Sequence, residues 1–131
     1  MRKFFYVLLL VLVLGACSHN VRDEFNESLK KYNELFRWNE LETASVFVAD
    51  PLRGEYIVRA KAAKNIRVVD FRVIGSQYDE KKNKASVEVQ VDYYLLSAAR
   101  VKTLRDTQEW AYQGEKGAQG WRLMSQLPEF R

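Results

Sequence analysis

The sequence predicts an α+β fold, with N-terminal helices packed on one face of a curved, mostly antiparallel four-stranded sheet. Two observations predict it. Apolar residues recur at helical spacing from Val21 to Ala63, and beyond Asn65 the period drops to two. Composition sets the scale: 131 residues, 47% hydrophobic and 29% charged, with one Cys, one His and two Pro, exclude a disordered, collagen-like, disulfide-stapled or polytopic membrane chain.

In the first helix Phe25, Leu29, Tyr32 and Leu35 or Phe36 share a face, with Asn20 as N-cap and charges at Arg22, Asp23, Glu27, Lys30, Lys31 and Glu34 elsewhere. Charges of both signs favour docking on a core over lying on a membrane. From Trp38 to Val48 the signals compete: Leu41, Ala44 or Ser45 and Val48 fit a helix, while Val46, Phe47 and Val48 favour a strand. A helix is expected there. The next helix starts with Asp50 as N-cap and Pro51 at the first helical position, buries Leu52, Tyr56, Ala60 and Ala63, and stops at Asn65.

The first strand alternates Val69, Phe71 and Val73, expected to face inward, with Asp70 and Arg72. Gly75 and the polar run from Tyr78 to Lys84 read as a loop. The second strand is the clearest element: Ala85, Val87, Val89, Val91, Tyr93 and Leu95 point one way, and Ser86, Glu88, Gln90, Asp92 and Tyr94 the other. A third strand is expected over Val101 to Tyr112 and a fourth over Trp121 to Leu127, joined by a hairpin with Gly114, Gly117 and Gly120.

Ahead of the helices stand Met1, Arg2 and Lys3, then eleven apolar residues from Phe4 to Leu14, then Gly15, Ala16 and Cys17. A basic start, a short apolar run and small residues are the parts of a secretory signal, and the run is too short to span a bilayer. The sequence Leu14-Gly15-Ala16-Cys17 resembles the lipobox of bacterial lipoproteins. The resemblance implies cleavage between Ala16 and Cys17, a diacylglycerol on the Cys17 thiol and an acyl chain such as palmitate on its new amino group. Two or three acyl chains make attachment effectively permanent. In a Gram-negative host, Ser18 in place of an Asp implies export to the outer membrane, with the domain facing the periplasm. The expected division is residues 1–16 signal peptide, 17–20 lipidated Cys and tether, and 21–131 a single domain. Loss of residues 1–16 leaves 115 residues and 19 basic against 17 acidic side chains. That balance, with no basic stripe bearing interleaved aromatics, argues against a nucleic-acid partner.

The helix-rich first half, the Asp50-Pro51 helix start, the long strand ending in Tyr93 and Tyr94, and Trp110 and Trp121 flanking a Gly-rich hairpin resemble the nuclear transport factor 2-like, cystatin-like group. In that group, ketosteroid isomerase-like and polyketide cyclase-like members work in a pocket between helices and sheet with an Asp, His or Tyr. Here the expected pocket face is Val69, Phe71, Val73, Val87, Val89 and Val91, with Tyr93 as its polar candidate, and Asp70 and Arg105 as further possible lining. The resemblance also implies pairing through the outer sheet face, so Tyr94, Trp110 and Tyr112 are the candidate interface residues for a homodimer or an envelope partner.

No reaction is legible. His19 is the sole His and lies in the tether, so no Ser-His-Asp set or zinc spacing can be built. Asp70, Glu88 and Asp92 are expected on the wet face in cross-strand ion pairs with Arg72. No calcium-loop or phosphate-loop spacing occurs, so no metal or cofactor is expected. The sequence leads to an anchored, non-catalytic binding domain, with a small-ligand or enzymatic cone around Tyr93 as the alternative.

Overall fold

The computed structural model describes residues 20–98, 100–114 and 120–131. The signal peptide, Cys17 and most of the Gly114–Gly120 hairpin, including Gly117, lie outside the described residues. Helix α1 (Val21–Arg37) leads into a short α2 (Leu41–Ala44), a 3-10 turn (Ser45–Phe47) and α3 (Asp50–Ala62), followed by β1 (Ile66–Asp79), β2 (Lys84–Leu95), β3 (Lys102–Tyr112) and β4 (Trp121–Leu123). The four strands form one antiparallel meander in the order β1-β2-β3-β4, with the helices on one face. No described helix is long and apolar enough to cross a membrane.

Helix α1 forms as its spacing predicts. The Asn20 Oδ1 accepts the Arg22 backbone N–H at 3.0 Å, satisfying one of the orphan donors of the first turn. Phe25, Tyr32 and Phe36 are its buried residues, and each meets an aromatic ring of the sheet. Phe25 lies 4.9 Å from Trp121 and 6.1 Å from Trp110, Tyr32 stands edge-on to Trp110 at 5.5 Å, and Phe36 meets Phe71 at 5.0 Å. Each such side chain contributes about 1.5–3 kcal/mol by leaving water, and offset or edge-to-face ring pairs add to it. The helix docks on a core, as its mixed charges suggest.

The segment after α1 resolves the competing signals by division. Asn39 takes a left-handed conformation (φ 63°) and ends the turn, only Leu41–Ala44 is α-helical, and Val48 makes a parallel bridge to Leu123. In α3 the cap shifts by one residue. Ala49 is the N-cap, its N–H bonded to the Leu123 carbonyl, and Asp50 sits inside the first turn, paired with Arg53 at 2.7 Å. A carboxylate in that place still complements the helix dipole. The helix closes at Ala62 with Ala63 as C-cap, before Asn65, and its buried side carries Tyr56, Ala60 and Ala63.

The first strand departs most from its expected pattern. It runs on to Asp79, taking up Gly75 and Tyr78, so that the turn contracts to residues 80–83 with Asn83 left-handed at φ 48°. Its register against β2 slips between Val68 and Asp70 and again between Val73 and Gly75. The first slip leaves Val69 without an opposite residue and 53% exposed. Val73 lies opposite Val89 on the inner face but is 49% exposed, because β1 is an edge strand with no neighbour beyond it. Of the three residues expected inward, only Phe71 is buried. The second strand follows its alternation: Ala85, Val87, Val89, Val91 and Tyr93 are all buried. The fourth strand is shorter than expected, ending at Leu123, although Leu127 is buried in the irregular chain that follows.

Truncating a ring that plugs the sheet should be costly, while the bulged valine should matter little. We expect Phe36→Ala to lower unfolding free energy by about 3–5 kcal/mol and Val69→Ser to change it by less than about 0.5 kcal/mol, read by urea denaturation.

Candidate functional site

The inner sheet face is where the sequence places a pocket, and Tyr93 lies on it. Its ring is buried against Phe130, 5.0 Å away, and its hydroxyl is occupied at both ends, donating to the Arg131 carbonyl at 2.8 Å and accepting the Arg131 N–H at 3.0 Å. Lys102 Nζ donates to the same carbonyl at 2.7 Å. In these bonds Tyr93 secures the C-terminal chain.

The inner row of β3 is the unexpected part. Residues opposite one another across β2 and β3 share a face, so Leu104, Asp106, Gln108 and Trp110 stand beside Val91, Val89, Val87 and Ala85. Gln108 is buried and both ends of its amide are used: Nε2 donates to Asn33 Oδ1 at 3.2 Å, and Oε1 accepts from Trp110 Nε1 at 3.1 Å. Above them the hydroxyls of Tyr32 and Tyr56 meet at 2.9 Å, both buried. A buried polar group without a partner is costly, and this arrangement pairs the tyrosine hydroxyls and the amide within the core.

Asp106 is part-buried in this row, and burial pushes its carboxyl up to about 6, opposed by a hydrogen bond from the Thr107 backbone. Burial likewise holds both tyrosines well above the usual phenol range. Their shared hydrogen bond pushes Tyr32 further up and draws Tyr56 back down, and the Asp106 charge raises both. A carboxyl titrating near neutrality can exchange a proton at working pH. Sequence inspection misses Asp106 and Gln108 because β3 lacks apolar alternation. The usable signal is that they fall two and four positions before Trp110, on its side of the strand.

The outer face carries the expected ion pairs. Arg72 bonds Asp70 at 3.1 Å and Asp92 at 3.4 Å, Arg105 bonds Glu88 at 3.5 Å, and Thr103 donates to Asp92 at 2.7 Å. Exposed pairs of this kind contribute about 0–1 kcal/mol each. Arg105 and Asp70 are therefore on or beside the outer face and do not line an inner pocket. Of the three candidate interface aromatics, Tyr94 alone is on this face, opposite Arg67. Trp110 is turned inward and 1% exposed, and Tyr112, opposite Trp121, shares its side and meets the Trp121 ring at 5.7 Å, tilted by 54°. The even-numbered residues of β3 from Leu104 on share the helix side, with Trp110 buried and Tyr112 half-buried at its edge.

The open space lies elsewhere. A cleft of about 500 Å³ is bounded by Trp38, Asn39, Leu41, Ala60, Lys64 and Arg67, where α1 ends and β1 begins. A smaller one of about 240 Å³ lies between the end of α3 and the last residues, lined by Arg59, Ala63, Ile66, Pro128 and Phe130. Neither is lined by Asp106 or Tyr93. No group of three or more His, Cys, Asp or Glu residues is placed to hold a metal ion among the described residues.

No protein-family model matches this chain, and no curated protein is significantly similar to it. Among solved structures it is similar to the intermembrane space region of chloroplast protein ARC6, over 82% of this chain and 95% of that one, at 14% sequence identity and a TM-score of 0.41. A likeness at that level assigns no family and no role. What stands is the α+β architecture itself, three helices on a four-stranded antiparallel sheet.

Asp106 gives a pH prediction. Its folded-state pKa of about 6 lies above the ordinary 3.8, so the folded protein binds this proton more tightly than the unfolded chain. Its contribution is therefore favourable at low pH and is lost as pH rises through about 6, opposite to the usual carboxylate. We expect unfolding free energy to fall by on the order of 2 kcal/mol between about pH 4 and pH 7 through this group. Asp106→Asn should remove that part of the pH dependence in denaturant titrations.

Proposed function

We propose that this chain is a lipid-anchored domain of the bacterial cell envelope that acts by binding and not by catalysis. One observation carries the anchor: the run Leu14-Gly15-Ala16-Cys17 directly behind two basic and eleven apolar residues. Cys17 is the lipidated residue, and in a Gram-negative host Ser18 favours the outer membrane, facing the periplasm. The helix-over-sheet arrangement is compatible with a nuclear transport factor 2-like, cystatin-like cone.

A binding role is supported by what fills the interior. Phe36, Tyr32, Tyr56, Val87, Val89, Val91 and Trp110 occupy the space between helices and sheet, and Tyr93 spends its hydroxyl on the chain's own backbone. The surface offered to a second copy or an envelope partner is the outer sheet face around Tyr94. A second reading, a small-ligand or enzymatic cone, is favoured by one observation, the raised carboxyl of Asp106 on the inner face. In that reading Asp106, and not Tyr93, is the proton-handling residue.

The anchor is tested by fractionation and intact mass. Cys17→Ser should move the protein from the membrane to the soluble fraction and remove the mass of the diacylglycerol; membrane retention of the variant would refute the anchor. For the outer face, Tyr94→Ala should weaken self-association or partner capture by about tenfold or more, an ordinary loss for an aromatic anchor. Unchanged sedimentation and cross-linking would remove Tyr94 from the interface.

A further inference from the structure

The root of the anchor is clamped to one end of the sheet. Trp121 Nε1 donates to the Val21 carbonyl at 2.8 Å, and Arg22 bonds the Glu80 carboxylate at 3.3 Å while lying 5.0 Å over the Tyr78 ring. Phe25 locks the same turn of α1 between Tyr78 and Trp121, at 5.7 and 4.9 Å. The start of α1 is thereby fixed beside the β1–β2 turn. Only Ser18, His19 and Asn20 separate Cys17 from α1, a reach of roughly 10 Å at full extension. Trp38, 73% exposed, lies past the far end of the 17-residue helix, about 25 Å away by helical rise.

The charges at the clamped end are arranged in one sense. Asp79 turns its carboxylate back onto the Lys81 and Lys82 backbone N–H groups, at 3.0 and 3.1 Å, and Glu80 is held by Arg22. Lys81, Lys82 and Lys84 are exposed, and their ammonium groups make no ion pair among the described residues. Three exposed lysines beside carboxylates that are already engaged suit the phosphates of a headgroup layer. The β1 edge, the other long exposed side, has two of its backbone donors already taken: the Val68 N–H by Asn39 Oδ1 at 2.7 Å and the Phe71 N–H by Asp70 Oδ1 at 2.9 Å.

We propose that the sheet end formed by the turn at residues 80–83, with Lys81, Lys82 and Lys84, is the surface on which this domain rests against the phospholipid headgroups. The Trp38 cleft is then the membrane-distal pole. The proposal rests on the lipid-anchor reading of Cys17.

The test uses the full-length lipidated chain, reconstituted in vesicles of phosphatidylethanolamine and phosphatidylglycerol. A fluorophore is placed in turn through Lys82→Cys, Val73→Cys and Lys64→Cys, with Cys17 blocked by its lipid. Passing from detergent to vesicles, the label at 82 should lose its accessibility to an aqueous quencher, while those at 73 and 64 keep theirs. Adding Lys81→Glu and Lys84→Glu to the variant labelled at 82 should restore access. Retained access at 82, equal loss at 73 or 64, or protection indifferent to the charge reversals would overturn the proposal. Flotation with the vesicles is scored separately, so a chain that fails to float refutes the anchor and not the orientation.

Discussion

The fold depends on the contact between the Tyr32 ring of α1 and the Trp110 ring of β3, 5.5 Å apart and nearly perpendicular. Around it everything else takes position. Phe25 and Phe36 extend the seam toward Trp121 and Phe71, so the helix lies along the sheet with an aromatic partner at each inward turn. The same two residues carry polar handles inward: the Tyr32 hydroxyl must find Tyr56, and the Trp110 indole N–H must find Gln108. Those bonds fix α3 and the rotamer of Gln108, and through Gln108 they reach back to Asn33 on α1. A misregistered helix would lose rings and hydrogen bonds together, which favours one docking over its neighbours.

The interior that results is full but not wholly apolar. Rings and valines fill the space between helices and sheet, and a carboxyl with its pKa lifted to about 6 is carried among them at a standing cost in stability. Carboxylates are seldom kept in such surroundings without a use. The outer face has the reverse character, with Asp70, Asp92, Glu88, Arg72 and Arg105 neutralising one another at its surface. Tyr94 is thus an aromatic ring set on a face whose charges are already matched.

Much of this was legible in the residues. The α1 face, the alternation of β2 and the order of helices before strands follow from period, because each pattern repeats over many residues, and the N-cap at Asn20 follows from its side chain. The failures have local causes. A bulge changes the parity of a strand, so Val69 could not be assigned from alternation, while Val73 keeps its inward parity opposite Val89 and is exposed because β1 is an edge. Strand β3 hides its inward row because that row is Leu104, Asp106, Gln108, Trp110, half of it polar, and so Trp110 could be mistaken for a surface residue. The candidate centre fared worse than the fold for the same reason: Asp106 is distinguished by its burial and by the charge that Tyr32 and Tyr56, on two different helices, feel from it, and neither is near it in sequence.

The hydrogen bond from Trp121 to the Val21 carbonyl closes a loop of 100 residues. It joins the first turn of the first helix to the last strand of the sheet, with the β1–β2 hairpin wedged between them. During synthesis α1 emerges long before its partner, and an isolated helix of 17 residues is only marginal in water. The native first turn must wait for β4. Until then Phe25 lacks the Trp121 ring, whereas Phe36 and Tyr32 already have Phe71 and Trp110 within the strands made earlier, so the far half of the helix can be covered before its first turn is fixed.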